Sequence, residues 1–196
     1  MKEILTDDDL LFMELIVLCF EEELNKFLED ANGESELVII LKGHLYIENQ
    51  LDNLLKKSLV YPEIILDKRM RFVDKTRLAV AMGLIPRPEI HPILRLNDIR
   101  NAFAHNLSYQ LNERDIFKVN DSFSKRQKQN YQQYKDKHKE KFELIENLKL
   151  SIFTVWITIL EDFLIPSDLR NKLEMYRQWM KDQKKKKNRT KLEIKD

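Results

Sequence analysis

Apolar positions recur at helical spacing along nearly the whole chain, and no alternating apolar and polar run of convincing strand length interrupts them. Thr6, followed by acids through Asp9, reads as a capping box opening a helix that runs to about Asp30, where "ANGES" breaks it. A second helix follows from about Glu36 to Leu59, with "YPEII" as a joint after it. "DKRMRFVDKTRLAVAM" predicts a third helix, with Gly83 as its C′ residue. Pro92 is well placed near the start of the next. "SYQLNERDIFKVNDSF" reads as a loop with one short turn of structure, and the almost wholly polar "SKRQKQNYQQYKDKHKEKFE" as a solvated helix or a mobile connector. "FELIENLKLSIFTVWITILEDFLI" is apolar nearly all round, which predicts a central helix, and Pro166, Ser167 and Asp168 open a last one. The expected fold is an all-α up-and-down helical bundle, one domain over residues 1–180 followed by a basic tail over 181–196.

Three polar residues sit where this pattern calls for apolar ones. Ile93, Leu96, Ile99, Phe103 and Leu107 define one helical face, and Arg100 falls inside it. A guanidinium there needs an anion from the chain, access to water, or an anion bound from outside, because burying it unpaired costs several kcal/mol. Asn101 and His105 lie four apart on the flank of the same helix. In the second helix Leu41, Leu45, Leu51, Leu55 and Leu59 define a face whose middle also holds His44 and Glu48. If the two helices pack together, Glu48 is the expected partner of Arg100, either as a structural pair or beside a working site. His44 fits a core hydrogen bond better than catalysis. His105 is either a solvated flank residue or, next to a phosphate held by Arg100, a proton-transfer group.

Charge and cysteine narrow the picture further. The 196 residues carry a formal charge of +1, but residues 1–60 hold 14 acids against 5 basic residues, so any nucleic acid should meet the later part. The tail "KDQKKKKNRTKLEIKD" has 8 Lys or Arg against 3 acids. It is either a fraying helix end or an electrostatic arm for RNA, with Lys184, Lys185, Lys186, Lys187 and Arg189 as phosphate contacts. The single cysteine, Cys19, excludes a disulfide framework and a cysteine metal site within one chain, and makes the cytoplasm the natural compartment. Its surroundings, "LLFMELIVLCF", are too short and too acidic in their flanks for a membrane span or signal peptide, and read as a core helix. His44, Glu48 and His91 are too scattered to assert a metal site, and no Gly-rich phosphate loop is present, so neither a metal nor a cofactor is expected.

The stretch "IRNAFAH" resembles the R-x(4–6)-H motif of HEPN domains, with Asn101 in the polar position that often follows the arginine. "GHLYIENQLDNLL", "FVDKTRLAVAMGLIP" and "LNDIRNAFAHNL" together are similar to the mannitol operon repressor branch of that superfamily, over roughly residues 35–110. The resemblance implies a homodimeric all-α bundle in which two motifs meet at a cleft. It implies a metal-independent endoribonuclease of a toxin–antitoxin or antiphage system, restrained in some systems by an antitoxin or regulatory protein. In that role Arg100 holds the scissile phosphate, His105 is the acid/base and Asn101 orients one of them. The mannitol-repressor branch implies the alternative, a non-catalytic regulatory or interaction module on the same bundle.

Overall fold

The computed structural model describes residues 5–66, 69–137, 143–166, 168–173, 175, 176 and 179. Among them the chain is all-α, and no strand is present. The helices are α1 (Asp7–Ala31), α2 (Glu36–Ser58), α3 (Pro62–Ile65), α4 (Phe72–Ala81), α5 (Ile90–His105), α6 (Glu113–Asp121), α7 (Lys125–Lys137) and α8 (Leu144–Leu164), with a 3₁₀ turn at Arg87–Glu89 before α5. Among the described residues, those of 24–163 form one compact unit, and those up to 23 together with those from 164 onward form another. Among the described residues no helix is long and apolar enough to cross a membrane.

The local signals act as their chemistry dictates. Thr6 N donates to Asp9 Oδ2 at 2.9 Å and Asp9 N to Thr6 Oγ1 at 3.2 Å, a reciprocal capping box at the start of α1. Gly33 and Gly83 take φ of 68° and 72°, the left-handed region that lets the chain leave α1 and α4. In the unit 24–163, α2 packs against α4 and α5, and α5 against α6. Every residue of α8 from Ser151 to Leu160 is buried, as an apolar surface on all sides requires. Phe27, Tyr46 and Trp156 form an aromatic cluster with centroids 5.4–5.8 Å apart.

Several expectations need correction. Residues 108–123 are not mainly loop: Asn112 Oδ1 accepts from Asp115 N at 3.3 Å and caps α6, which buries Ile116 and Val119. The polar run after it forms α7, and its first turn is anchored rather than merely solvated. Arg126 makes a bidentate contact with Asp162 at 2.9 Å through each nitrogen and reaches Glu89 Oε2 at 2.8 Å. Burial opposes the charge on Arg126, but the bonds from Asp162 and Glu89 outweigh it and raise its pKa. The third helix begins only at Phe72, so Arg69, Met70 and Arg71 are not helical. On α2 the buried face runs through Ile40, His44, Ile47, Leu51 and Leu54, leaving Leu41 and Leu45 exposed. Positions 10–20 are helical as expected but do not form core; Ile16 alone among them is buried. A helix that is apolar on several sides is buried only where neighbours surround it.

Candidate functional site

The out-of-place polar residues converge. A cleft of about 510 Å³ in the unit 24–163 is lined from α2 by His44 and Glu48, from the segment before α4 by Arg69, Met70 and Arg71, from α4 by Phe72 and Val73, and from α5 by Asn97, Arg100 and Asn101. Helical periodicity accounts for this grouping. Asn97, Arg100 and Asn101 are spaced by three and four, as His44 and Glu48 are by four, so each set occupies one side of its helix. Residues 43–55, 72–86 and 96–107 each contribute to this one cavity.

Arg100 is half-buried, and its Nη1 donates to Asn101 Oδ1 at 3.2 Å. The expected Glu48–Arg100 pair is not formed. Glu48 Oε1 accepts instead from Lys75 Nζ at 2.9 Å, and the same ammonium reaches Asp52 at 2.9 Å. Burial opposes the charge on Lys75, but Glu48 and Asp52 outweigh it and raise its pKa. The physical reason for the correction is that Lys75, on α4, lies on the buried side of its helix with Phe72, Thr76 and Ala79, and takes the carboxylate first. Among the described residues no carboxylate forms an ion pair with Arg100. Of the three ways to satisfy an arginine in an apolar stripe, this one is open to the cleft.

His44 is buried and Nε2 lies 3.2 Å from Asn97 Oδ1. An amide oxygen only accepts, so this bond puts the ring proton on Nε2 and turns the Nδ1 lone pair toward Glu48 Oε2 at 3.9 Å. Phe72 covers the ring at a centroid distance of 4.1 Å. Burial holds the His44 pKa below its ordinary value; Asn97 and Glu48 oppose the shift, and Arg100 and Lys75 add to it. The imidazole is therefore neutral at pH 7, the core hydrogen-bonding role expected from its position.

His105 ends α5, is exposed, and does not line the cleft. Five residues of helix place it about 140° around the axis and about 7.5 Å along it from Arg100. Asn101 stays with Arg100. Lys184, Lys185, Lys186, Lys187 and Arg189 lie outside the described residues. Arg69 and Arg71, which the pattern assigned to a helix, are exposed at the cleft, and Arg71 Nε donates to Asp74 Oδ2 at 2.8 Å. A cleft edged by three guanidiniums, two amides and one partly neutralised carboxylate suits a phosphate-bearing ligand. Among the described residues no group of His, Cys, Asp and Glu is arranged to hold a metal ion. No family model, curated protein or solved structure matches the chain.

Proposed function

We propose that this chain is a HEPN-like, metal-independent endoribonuclease of a toxin–antitoxin or antiphage system, working in the cytoplasm as a homodimer. The observation that supports it is Arg100, whose guanidinium opens to the cleft beside Arg69 and Arg71 without a carboxylate of its own. Arg100 holds the scissile phosphate and stabilises the charge that develops on it, and Asn101 fixes the guanidinium. The RNA 2′-hydroxyl attacks phosphorus and loses its proton, and the 5′-oxygen leaves and gains one. His105 carries these protons. The products are a 2′,3′-cyclic phosphate and a free 5′-hydroxyl. That Arg100 lines the cleft and His105 does not supports a pair that combines one residue from each copy at one phosphate.

RNA incubated with the protein in EDTA should yield 2′,3′-cyclic phosphate ends, with at least ~10²-fold slower cleavage by Arg100→Ala and by His105→Ala. Undiminished cleavage by both variants overturns the assignment. The second reading, a non-catalytic regulatory module of the mannitol-repressor type, is supported by the position of His105 outside the cleft. No cleavage across a broad RNA panel, with ligand binding that depends on Arg100, is the result it requires.

A further inference from the structure

The first half of α1 has a surface that the cleft does not explain. Leu11, Leu15 and Leu18 are 58%, 58% and 60% exposed. Spaced by four and three, they fall within about 60° of arc and form a continuous stripe. From Asp7 to Glu23 the helix carries seven acids and no lysine or arginine. Asp9 is bonded by Lys172 at 2.8 Å. Among the described residues no Lys or Arg pairs with Asp7, Asp8, Glu14, Glu22 or Glu23. Exposed leucines at this density mark a docking face, and the acids restrict what can dock.

A second copy of the same stripe is disfavoured. In a parallel pair the Asp7–Asp9 ends meet each other, and in an antiparallel pair they meet Glu22 and Glu23, so like charges face each other in both registers. Anionic lipid headgroups and nucleic acid are repelled for the same reason. We propose that the Leu11, Leu15 and Leu18 stripe docks a basic amphipathic helix of a partner protein. Leucines of the partner at the matching four-three spacing fill the gaps between these three, and its flanking lysines or arginines meet Asp7, Asp8, Glu14 and Glu22.

The test uses the full chain and a labelled amphipathic peptide of about five turns, with leucines at four-three spacing and lysines on both flanks. One control peptide exchanges the lysines for glutamates and another exchanges the leucines for serines. Fluorescence anisotropy should show binding of the basic amphipathic peptide alone, weakened at least ~10-fold when Leu11→Ser, Leu15→Ser and Leu18→Ser are combined. These side chains are exposed, so the triple variant should keep its circular dichroism and melting temperature, which shows that the loss is not one of folding. Equal binding of the acidic peptide, or undiminished binding to the triple variant, overturns the proposal. So does a fall in light-scattering mass from wild type to variant, which makes the occupant a second copy. Loss in the variant of binding to phosphatidylcholine/phosphatidylglycerol vesicles makes it a lipid surface and also overturns it.

Discussion

Lys75 Nζ lies 2.9 Å from Glu48 Oε1, and this contact decides what Arg100 is left with. The ammonium has a second carboxylate, Asp52, whereas among the described residues neither carboxylate pairs with another amine. Glu48→Ala therefore leaves Lys75 paired and should cost about 1–2 kcal/mol, a figure reduced because the Glu48 carboxylate is partly solvated. Lys75→Ala strands two carboxylates beside each other and should cost about 3 kcal/mol. Urea denaturation of the two variants measures the order. A larger loss for Glu48→Ala would mean that Arg100, not Lys75, depends on that carboxylate.

Features of the fold that depend on near neighbours in sequence were legible in it, and those decided across helices were not. The Thr6–Asp9 capping box, the positive-φ turns at Gly33 and Gly83, and the buried α8 follow from spacing alone. Three polar residues of the cleft were visible too, because His44, Glu48 and Arg100 each disturb an apolar stripe, with Asn101 on the flank beside Arg100, whereas Asn97 carried no such signal. Which carboxylate meets which cation was not, since pairing depends on how α2, α4 and α5 rotate against one another. One signal pointed that way: Lys75 falls three after Phe72 and four before Ala79, inside an apolar spacing. The brace at Arg126 was hidden in a polar run, yet Ser124 and Gln127 form a capping box there, with Ser124 N donating to Gln127 Oε1 at 3.0 Å and Gln127 N to Ser124 Oγ at 3.2 Å.

Gly43 is a close-packing residue rather than punctuation. It lies inside α2, and a Cβ placed on it would come 2.5 Å from Ile152 Cγ2 and 2.8 Å from Ile152 Cδ1 on α8. Gly43→Ala gains helix propensity of about 1 kcal/mol but forces the helices apart, so a net loss of about 1–3 kcal/mol is expected. Adding Ile152→Ala removes both clashing atoms, and the double variant should lose less than the sum of the two single losses. Additive losses in chemical denaturation would show that the two residues do not oppose each other.

Stability should fall as His44 is titrated. The ring faces Glu48 on its own helix, Lys75 and Phe72 on α4, and Asn97 and Arg100 on α5. Burial first, then Arg100 and Lys75, hold its folded pKa below the ordinary 6.5, against Asn97 and Glu48. Between the two pKa values the unfolded chain binds more protons, so stability rises with pH there. The contribution is present above about pH 6.5 and is lost as pH falls below it. The melting temperature of wild type should therefore drop more than that of His44→Gln between about pH 7.5 and pH 5.5. Parallel curves would place the titration elsewhere.

The proposed ribonuclease makes a demand on the dimer that mixing can test. Arg100 opens to the cleft, whereas His105 is exposed at the end of α5 about 140° around the helix and does not line that cleft. With the active pair split between copies, a heterodimer of an Arg100→Ala chain and a His105→Ala chain contains one site with both residues and one with neither. Random exchange at equal concentrations makes half the dimers mixed, so activity should recover to about a quarter of wild type from two nearly inactive preparations. The variants must be mixed under conditions where mass spectrometry of tagged chains shows subunit exchange. If exchange is complete and cleavage does not recover, Arg100 and His105 act within one chain or do not act together at all.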